Sequence, residues 1–223
     1  MAFPSHSPRP GGFSRVPLRD QVHRALVERI LRDELKAGSR ISDTVLAREL
    51  SVSRTPIREA LLRLEREGFL RTDLGRGFFV KPLSLREVRE TYPILWTLEV
   101  LALRSAGAPG AETLAELGKV NAALEAETDA ERRIELDGAW HRLLLEPCGN
   151  GSLLALVESL KQVIRRYEYA YMQNAGHVPL STRTHEQITE RLAGGDVEGA
   201  IPLLEGNWRS TRDTLVEWLR EVV

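Results

Sequence analysis

Apolar residues recur every three or four positions in the first part of the chain, which is the spacing of amphipathic helices. Three helices are predicted between about residue 18 and Gly68. Ser42 and Ser53 precede the second and third of them, and serine is favoured there because its hydroxyl accepts a hydrogen bond from a free backbone N–H. Pro56 fits the first turn of the third helix, where its missing N–H would have no partner. The apolar positions are Val22, Leu26, Ile30 and Leu31, then Val45, Leu46 and Leu50, then Ile57, Ala60, Leu61 and Leu64.

After the third helix the apolar residues come in two short runs instead of at helical spacing. Residues 69–72 and 78–80 predict two short strands. Residues 73–77 between them contain two glycines, which readily adopt the positive φ angles of a hairpin turn. Three helices followed by a hairpin predict an N-terminal winged helix-turn-helix with a small β-hairpin wing, over residues 16–83.

From residue 84 onward the pattern predicts helices alone. Ser84 and Glu87 have the spacing of a capping box, in which each side chain accepts a hydrogen bond from the other residue's backbone N–H. Pro93 and Pro202 lie inside two predicted helices, which are therefore expected to be kinked or to start later. The chain is predicted to be mainly α, with a C-terminal all-α antiparallel helical bundle over residues 84–223. The predicted helices are residues 84–106, 111–127, 130–146, 151–173, 181–193 and 196–221.

The two predicted regions differ in charge. The formal net charge of the chain is -1. Residues 1–83 contain 16 basic and 10 acidic side chains, whereas residues 84–223 contain 15 basic and 22 acidic ones. A basic region joined to an acidic one is typical of a protein in which only the first binds a polyanion such as DNA.

Composition places the chain among globular proteins, with 42% hydrophobic and 28% charged residues. Residues 1–15 are rich in proline, glycine and serine and are predicted to form a disordered arm. Cys148 is the only cysteine, which excludes an internal disulfide and fits a reducing cytosol. Neither a membrane-spanning apolar run nor a signal peptide is recognisable. We therefore expect a cytoplasmic protein without a membrane partner.

The start of the third predicted helix contains residue types that recognise DNA. A recognition helix enters the major groove by its N-terminal end. Arg54 and Arg58 are four residues apart, so they share the helix face opposite the apolar one, and arginine binds guanine or phosphate through paired hydrogen bonds. Ser53 and Thr55 offer hydroxyls to phosphate. In the wing, Arg76 lies between two glycines and can approach the DNA backbone or the minor groove.

The segments LARELSVSRTPIREALLRLEREGFL and GRGFFV, within residues 17–82, resemble the winged-helix domain of the GntR family of bacterial transcription regulators. In that family the arginines of the SRTPIREAL stretch and the wing contact DNA. The resemblance implies this role for Arg54, Thr55, Arg58, Gly75 and Arg76. It also implies a homodimer that binds a pseudo-palindromic operator in double-stranded DNA.

The helical region contains a candidate metal site. Asp137 and His141 are four residues apart and share one face of a predicted helix, a common arrangement for two ligands of a divalent metal. His185, at the start of another predicted helix, can supply a third ligand. A surface pair or hydrogen-bonded core residues are the alternative explanation of this spacing.

The order D-x3-H, then GN, then H-x2-I ahead of a GD pair resembles the FCD domain of the FadR subfamily. Many FCD domains bind a divalent metal through one aspartate and three histidines, and a carboxylate effector often completes the coordination. Asp137, His141 and His185 match the first three ligands, but Asn207 occupies the position of the fourth. Because an amide oxygen is a poor zinc ligand, the resemblance implies either a three-ligand centre for zinc, nickel or manganese, or an eroded site.

A second departure from the family concerns the small-molecule effector. The family usually has an arginine facing the pocket, four residues before the glutamate aligned with Glu99, and this chain has Leu95 there. The pocket is therefore expected to be less cationic, which favours a larger or more apolar organic acid, or a related metabolite, over a small dicarboxylate. The expected pocket residues are Tyr92, Leu95, Trp96, Tyr167 and Asn207, with Tyr169 and Tyr171 as further candidates for the wall.

The leading functional hypothesis is a transcription regulator whose operator binding is modulated by a small-molecule effector. An alternative is a constitutive DNA-binding regulator with a degenerate effector and metal site, which Leu95 and Asn207 would allow. A third is a metal-dependent hydrolase that uses the three predicted ligands. The sequence shows no separate general base for a hydrolase, which would also leave the winged helix unexplained.

Overall fold

The computed structural model describes residues 17–32, 34–175 and 181–222. The arm predicted for residues 1–15 lies outside them. The first part of the described chain contains three helices and three short strands. They are α1 (Leu18–Leu31), β1 (Arg40–Ile41), α2 (Asp43–Glu49), α3 (Arg54–Arg66), β2 (Leu70–Asp73) and β3 (Gly77–Val80).

Serine residues stand at the starts of α2 and α3, as predicted. The Ser42 hydroxyl accepts a hydrogen bond from the Val45 backbone N–H at 3.3 Å, which caps α2. Ser53 has the extended backbone of an N-cap residue, but its side chain makes no capping bond. The Ser53 hydroxyl therefore has no role in closing α3.

The strands form one antiparallel sheet in the order β1, β3, β2. The predicted hairpin is β2 with β3, in a register that pairs Leu70 with Val80 and Asp73 with Gly77. The turn has positive φ at Gly75 (72°) and Gly77 (93°), which explains the need for glycine at both positions. Strand β1 was missed, because two residues are too few to show an alternating pattern.

The second part of the chain is entirely helical within the described residues, which confirms the predicted mainly α class. Its helices are α4 (Leu85–Ala106), α5 (Ala111–Ala126), α6 (Ala130–Leu145), α7 (Gly151–Ala175), α8 (Ser181–Ala193) and α9 (Val197–Val222). A short 3₁₀ turn, Glu146–Cys148, follows α6. Of the two alternatives for the prolines, a later start does not occur, because Pro93 and Pro202 lie inside α4 and α9; a kink at each stays a prediction.

Two separate hydrophobic cores stabilise the two parts. In the first, the inner faces of α1 and α3 meet the sheet through Leu26, Ile57, Leu61 and Leu64, each with 0% of its surface exposed. In the second, α9 packs along α4 and α8, while α7 packs against α4 and α6. Tyr169 of α7 packs against the first core, so the helical part contacts the winged helix directly.

The connection between the two parts is fixed by buried polar contacts. Ser84 accepts a hydrogen bond from the Glu87 backbone N–H at 3.3 Å, which is one half of the predicted capping box. The other half does not form, because the Glu87 carboxylate instead binds Lys81 at 2.5 Å, Arg166 and the Tyr167 hydroxyl. The Ser84 N–H donates to the Tyr167 hydroxyl at 3.3 Å. Helix α7 therefore holds the start of α4 and the segment before it.

Among the described helices, none combines the length and the apolar character that crossing a membrane requires.

Candidate functional site

The outer face of α3 presents the predicted DNA-contacting residues to solvent. Ser53, Arg54, Thr55 and Arg58 are all exposed, whereas the opposite face of the same helix is buried. The Arg54 guanidinium binds the Asp43 carboxylate at 2.7 Å. This hydrogen bond lowers the pKa of Asp43 and restrains Arg54 in the absence of DNA.

The wing presents a second exposed set beside α3. Gly75 and Arg76 lie in its turn and are exposed. The Arg76 N–H donates to the Asp73 carbonyl at 2.9 Å and closes the turn. Arg71 lies over the Phe79 ring at 4.9 Å, which adds a further cation to the wing.

Inside the helical part, the three predicted metal ligands lie together. Asp137 and His141 come from α6, and His185 comes from α8. The Asp137 carboxylate is 3.9 Å from His141 Nε2 and 3.7 Å from His185 Nε2. One potential ligand atom of each residue lies within 4.8 Å of those of the other two. Two imidazoles and a carboxylate are a suitable donor set for zinc, nickel or manganese.

Both imidazoles are held with the same nitrogen toward Asp137. The Nδ1 of His141 lies 2.9 Å from the Glu99 carboxylate, and that of His185 lies 3.1 Å from the Asn121 amide oxygen. Because each acceptor favours the ring proton on Nδ1, the Nε2 atom keeps its lone pair available to a metal. Both Nε2 atoms are buried without a hydrogen-bond partner among the described residues, so the site fits a cation.

Burial favours the neutral, metal-binding form of His185. It lowers the pKa of this imidazole to about 3, so the ring is uncharged at neutral pH. Trp140 stacks on the same ring, with 3.7 Å between centroids and 3° between planes. The orientation of His185 is therefore set by Asn121 at its edge and by Trp140 at its face.

A buried ion network behind His141 was missed from the sequence. Glu99 is fully buried and binds Lys161 at 2.8 Å in addition to His141. The Trp208 indole N–H also donates to Glu99, at 2.7 Å. Burial alone would raise the pKa of Glu99, but His141 and Lys161 hold it well below its usual range. The sequence does contain a sign of this network, because Glu99 is a charged residue within the apolar stripe of α4, between Trp96 and Leu103.

Beside Asp137 lies a small cavity of about 50 Å³ that opens to solvent. Asp137 and Asn207 line it, so of the five expected pocket residues the structure places Asn207 there. The other lining residues come from α5 to α9. They are Leu124, Arg133, Ile134, Glu168, Tyr171, Met172, Ser181, Trp208, Thr211, Thr214 and Leu215.

Tyr92, Leu95, Trp96 and Tyr167, predicted for the pocket, do not line this cavity. They belong to the core between the helices, because the apolar face of α4 is covered by α7 and α9. Of the further candidates, Tyr171 lines the cavity, whereas Tyr169 packs against the core of the winged helix.

Glu168 is a second residue that the sequence did not reveal. It lines the same cavity as Asp137, and the Tyr92 hydroxyl donates to its carboxylate at 3.4 Å. Burial and the neighbouring Asp137 raise the pKa of Glu168 to about 7. The sequence reveals no separate general base, and the structure adds Glu168 as an ionisable group in the cavity that Asp137 lines.

The first part of the chain has an exposed cationic helix beside a wing, and the helical part has a metal-ligand cluster and a cavity. Together these features are typical of a DNA-binding protein with a sensing domain. Comparison with known families agrees with this class. Residues 18–80 match the bacterial regulatory proteins of the gntR family, and residues 90–206 match the FCD domain. The chain belongs to the GntR family and is a transcriptional regulator with an FCD effector-binding domain.

Known relatives cover most of the chain. The Nta operon transcriptional regulator of Aminobacter aminovorans is 31% identical over 193 residues, which cover 84% of this chain and 90% of that protein. The uncharacterized HTH-type transcriptional regulator YdhC of Bacillus subtilis is 30% identical over 185 residues, 81% of this chain and 83% of the relative. A GntR family regulator from Pseudomonas syringae pv. tomato superposes with a TM-score of 0.58 at 27% identity, covering 91% of this chain and 86% of that one.

Proposed function

We propose that this regulator binds a pseudo-palindromic operator as a homodimer, and that an organic-acid effector at the metal-ligand cluster controls its affinity for that operator. Residues 16–83 form the DNA-binding domain in this proposal, and residues 84–223 form the effector-binding and dimerisation domain. The observation that supports control most directly is the position of α7, which contacts both domains.

Consecutive residues of α7 contact different parts of the molecule. Glu168 lines the cavity beside Asp137. Its neighbours Arg166 and Tyr167 bind the segment that joins the domains, and Tyr169 packs against the winged-helix core. A change in the cavity that moves Glu168 would move these neighbours too, which is the physical link that coupling between two sites requires.

In the DNA complex, the exposed face of α3 would enter the major groove. Ser53, Arg54, Thr55 and Arg58 lie in its first two turns, where base and phosphate contacts are made. Gly75 and Arg76 of the wing would contact the adjacent backbone or minor groove. Each arginine that binds phosphate adds to the salt dependence of the affinity.

In the effector domain, Asp137, His141 and His185 would hold zinc, nickel or manganese. A bound divalent metal supplies a positive charge that attracts a carboxylate effector. The two buried Nε2 atoms without partners support this assignment, because such atoms are costly to leave unpaired. Asn207 lines the cavity and would contact the effector or solvent rather than complete a histidine set.

Exposed apolar side chains on α4 and α7 support the homodimer. Ile94 and Leu101 are seven residues apart on α4, hence on the same side, and are 52% and 51% exposed. Leu156 of the adjoining α7 is 57% exposed. A second copy of the chain is the partner that fits, since a pseudo-palindromic operator has two equivalent half-sites.

The test of operator binding uses DNA selected from a random pool by the purified protein. Binding to the selected fragment is measured by fluorescence anisotropy at several salt concentrations. Arg58→Ala should weaken binding by about 1 to 3 kcal/mol. Arg66→Ala, at the exposed far end of α3, is the matched control and should bind like the wild type. Equal affinity of Arg58→Ala and wild type would contradict the assignment.

A further inference from the structure

Two ionisable side chains, one basic and one acidic, line the cavity beside the metal-ligand cluster without forming an ion pair. Arg133 of α6 and Glu168 of α7 both line it. Neither has an oppositely charged side chain within 4.0 Å in the described ranges 17–32, 34–175 and 181–222. Ion pairs are common elsewhere in this chain, so a cation and an anion left apart in one cavity point to a ligand that binds both.

Arg133 is positioned to bind an anion. One terminal nitrogen, Nη1, donates to the backbone carbonyl of Glu127 at 2.6 Å, which fixes the direction of the side chain. Its Nε is buried and has no hydrogen-bond partner among the described residues. A guanidinium that is anchored at Nη1 and has an unpartnered Nε binds a carboxylate with little loss of side-chain entropy.

Glu168 is positioned to bind a cation. Its carboxylate accepts one long hydrogen bond, from the Tyr92 hydroxyl at 3.4 Å. A carboxylate has about four acceptor sites, so most of its capacity remains for a ligand. Glu168 is not one of the three residues whose potential metal-ligand atoms lie together, so it is left for a separate positive group.

The remaining wall of the cavity is largely apolar. Leu124, Tyr171, Met172 and Leu215 line it together with Ile134. These side chains offer a ligand an apolar surface that opens to solvent beside Arg133 and Glu168.

We propose that the effector of this regulator is a zwitterion, an amino acid with an apolar side chain. Its carboxylate binds Arg133, its ammonium group binds Glu168, and its side chain contacts the apolar wall. This inference rests on the proposed function, in which the cavity is the effector site. A ligand with a carboxylate alone leaves Glu168 without a partner, and a site built for a polar group discriminates strongly against an analogue that lacks it.

The test compares three matched sets of compounds by isothermal titration calorimetry. Each set contains an amino acid, its analogue without the amino group and its analogue without the carboxylate. The amino acids are L-leucine, L-methionine and L-phenylalanine; for leucine the analogues are 4-methylpentanoate and 3-methylbutylamine. In at least one set, the amino acid should bind at least tenfold more tightly than both analogues.

Two variants assign the contacts. Glu168→Gln should remove the preference for leucine over 4-methylpentanoate, and Arg133→Gln should remove the preference over 3-methylbutylamine. Glu116→Gln and Arg132→Gln, exposed residues on α5 and α6, are the matched controls and should keep both preferences. Circular dichroism and thermal unfolding confirm that each variant is folded.

The outcomes separate this inference from the proposed function. Equal binding of an amino acid and its deaminated acid would overturn the zwitterion and retain the cavity as an effector site for carboxylates. Metal binding without binding of any of the compounds would overturn the zwitterion and retain the metal site. Failure of both metal and compounds to bind would overturn the proposed function itself.

Discussion

The buried guanidinium of Arg166 in α7 binds the carboxylate of Glu87 in the first turn of α4. Arg166 is 1% exposed, and it also donates to the Tyr167 hydroxyl at 2.7 Å and to the Lys81 carbonyl at 3.4 Å. One side chain of α7 thus binds three groups, of which the Lys81 carbonyl belongs to the segment after the wing and the Glu87 carboxylate to the start of α4.

Replacing Arg166 with methionine should destabilise the protein. The substitution keeps much of the volume of the side chain but removes one partner of a partly buried ion pair; loss of a partner from a fully buried pair typically costs about 3 to 5 kcal/mol. We expect the lower end of that range, because Lys81 still binds Glu87. Urea denaturation measures the loss. Arg165→Met, which removes a partly exposed arginine 3.8 Å from Glu135, is the control and should cost about 1 kcal/mol or less. Equal losses in both variants would contradict the prediction.

Stability should depend on pH through Glu87. Burial raises the pKa of this carboxyl group, but Lys81, Tyr167 and Arg166 outweigh burial and hold it below the usual 4.5. A lowered folded-state pKa means that the ionised group stabilises the fold above pH 4.5 and that this stabilisation is lost as the pH falls through the lowered value. Wild type should therefore be more stable than Glu87→Gln at pH 7, with a difference that shrinks below pH 4.5.

Urea denaturation between pH 7 and pH 3 measures this difference. Glu90→Gln, an exposed carboxylate on the same helix, is the control. If the difference in unfolding free energy between wild type and Glu87→Gln stayed constant down to pH 3, Glu87 would not be the titrating group.

Asn121 should be needed for metal affinity at the proposed site, although it is not one of the three proposed ligands. Its amide oxygen orients His185, and its amide N–H donates to the Thr182 carbonyl at 2.9 Å. Loss of such an orienting partner typically weakens metal binding by about 10- to 100-fold. Asn121→Ala should show this loss in a zinc titration against a competing chelator. Asn150→Ala, which removes a helix cap at the start of α7, should lower stability and leave zinc affinity unchanged. Wild-type zinc affinity in Asn121→Ala would refute the orienting role.

Releasing Arg54 from Asp43 should strengthen DNA binding. The two side chains form an exposed ion pair, and such pairs contribute about 0.2 to 1 kcal/mol. Asp43→Asn removes this competitor for the Arg54 guanidinium, so operator affinity should rise by roughly two- to fivefold. Asp213→Asn changes the net charge equally at an exposed site on α9 and should have no such effect. Fluorescence anisotropy measures the operator affinity of both variants. An equal rise in affinity would show a general effect of net charge and contradict the specific role of Asp43.

The apolar face of α4 should determine the oligomeric state. Ile94→Asp or Leu101→Asp places a charge in the proposed interface, so the protein should become monomeric in size-exclusion chromatography with light scattering. Leu62→Asp, at an exposed leucine of α3 outside that face, should remain dimeric. A dimer that persists in both α4 variants would place the interface elsewhere.

The helices could be predicted because their signals are local. Apolar spacing, the capping residues Ser42 and Ser84 and the glycines between helices each depend on a few neighbouring residues, and the predicted ends of the effector-domain helices agree with the structure to within two residues. Asp137 and His141 could be paired for the same reason, since four residues along one helix determine their common face.

The cavity wall could not be predicted, because it depends on which faces of distant helices meet. Tyr92 and Trp96 have the amphipathic character of pocket residues, but α9 covers the face of α4 on which they lie. Glu168 and Arg133 are hydrophilic residues in helices with many charged positions, and neither has a spacing that marks it. Only the packing of α6 against α7 shows that they share one cavity.

The arrangement of residues 166–169 on α7 also has an evolutionary consequence. Within one turn, adjacent side chains contact the connecting segment, the cavity proposed to bind the effector, and the winged-helix core. A substitution that adapts this turn to a new ligand would also alter how the winged helix is held. Ligand preference and gene control would therefore be inherited together here, whereas the wall residues of α5 and α9 can vary without that constraint.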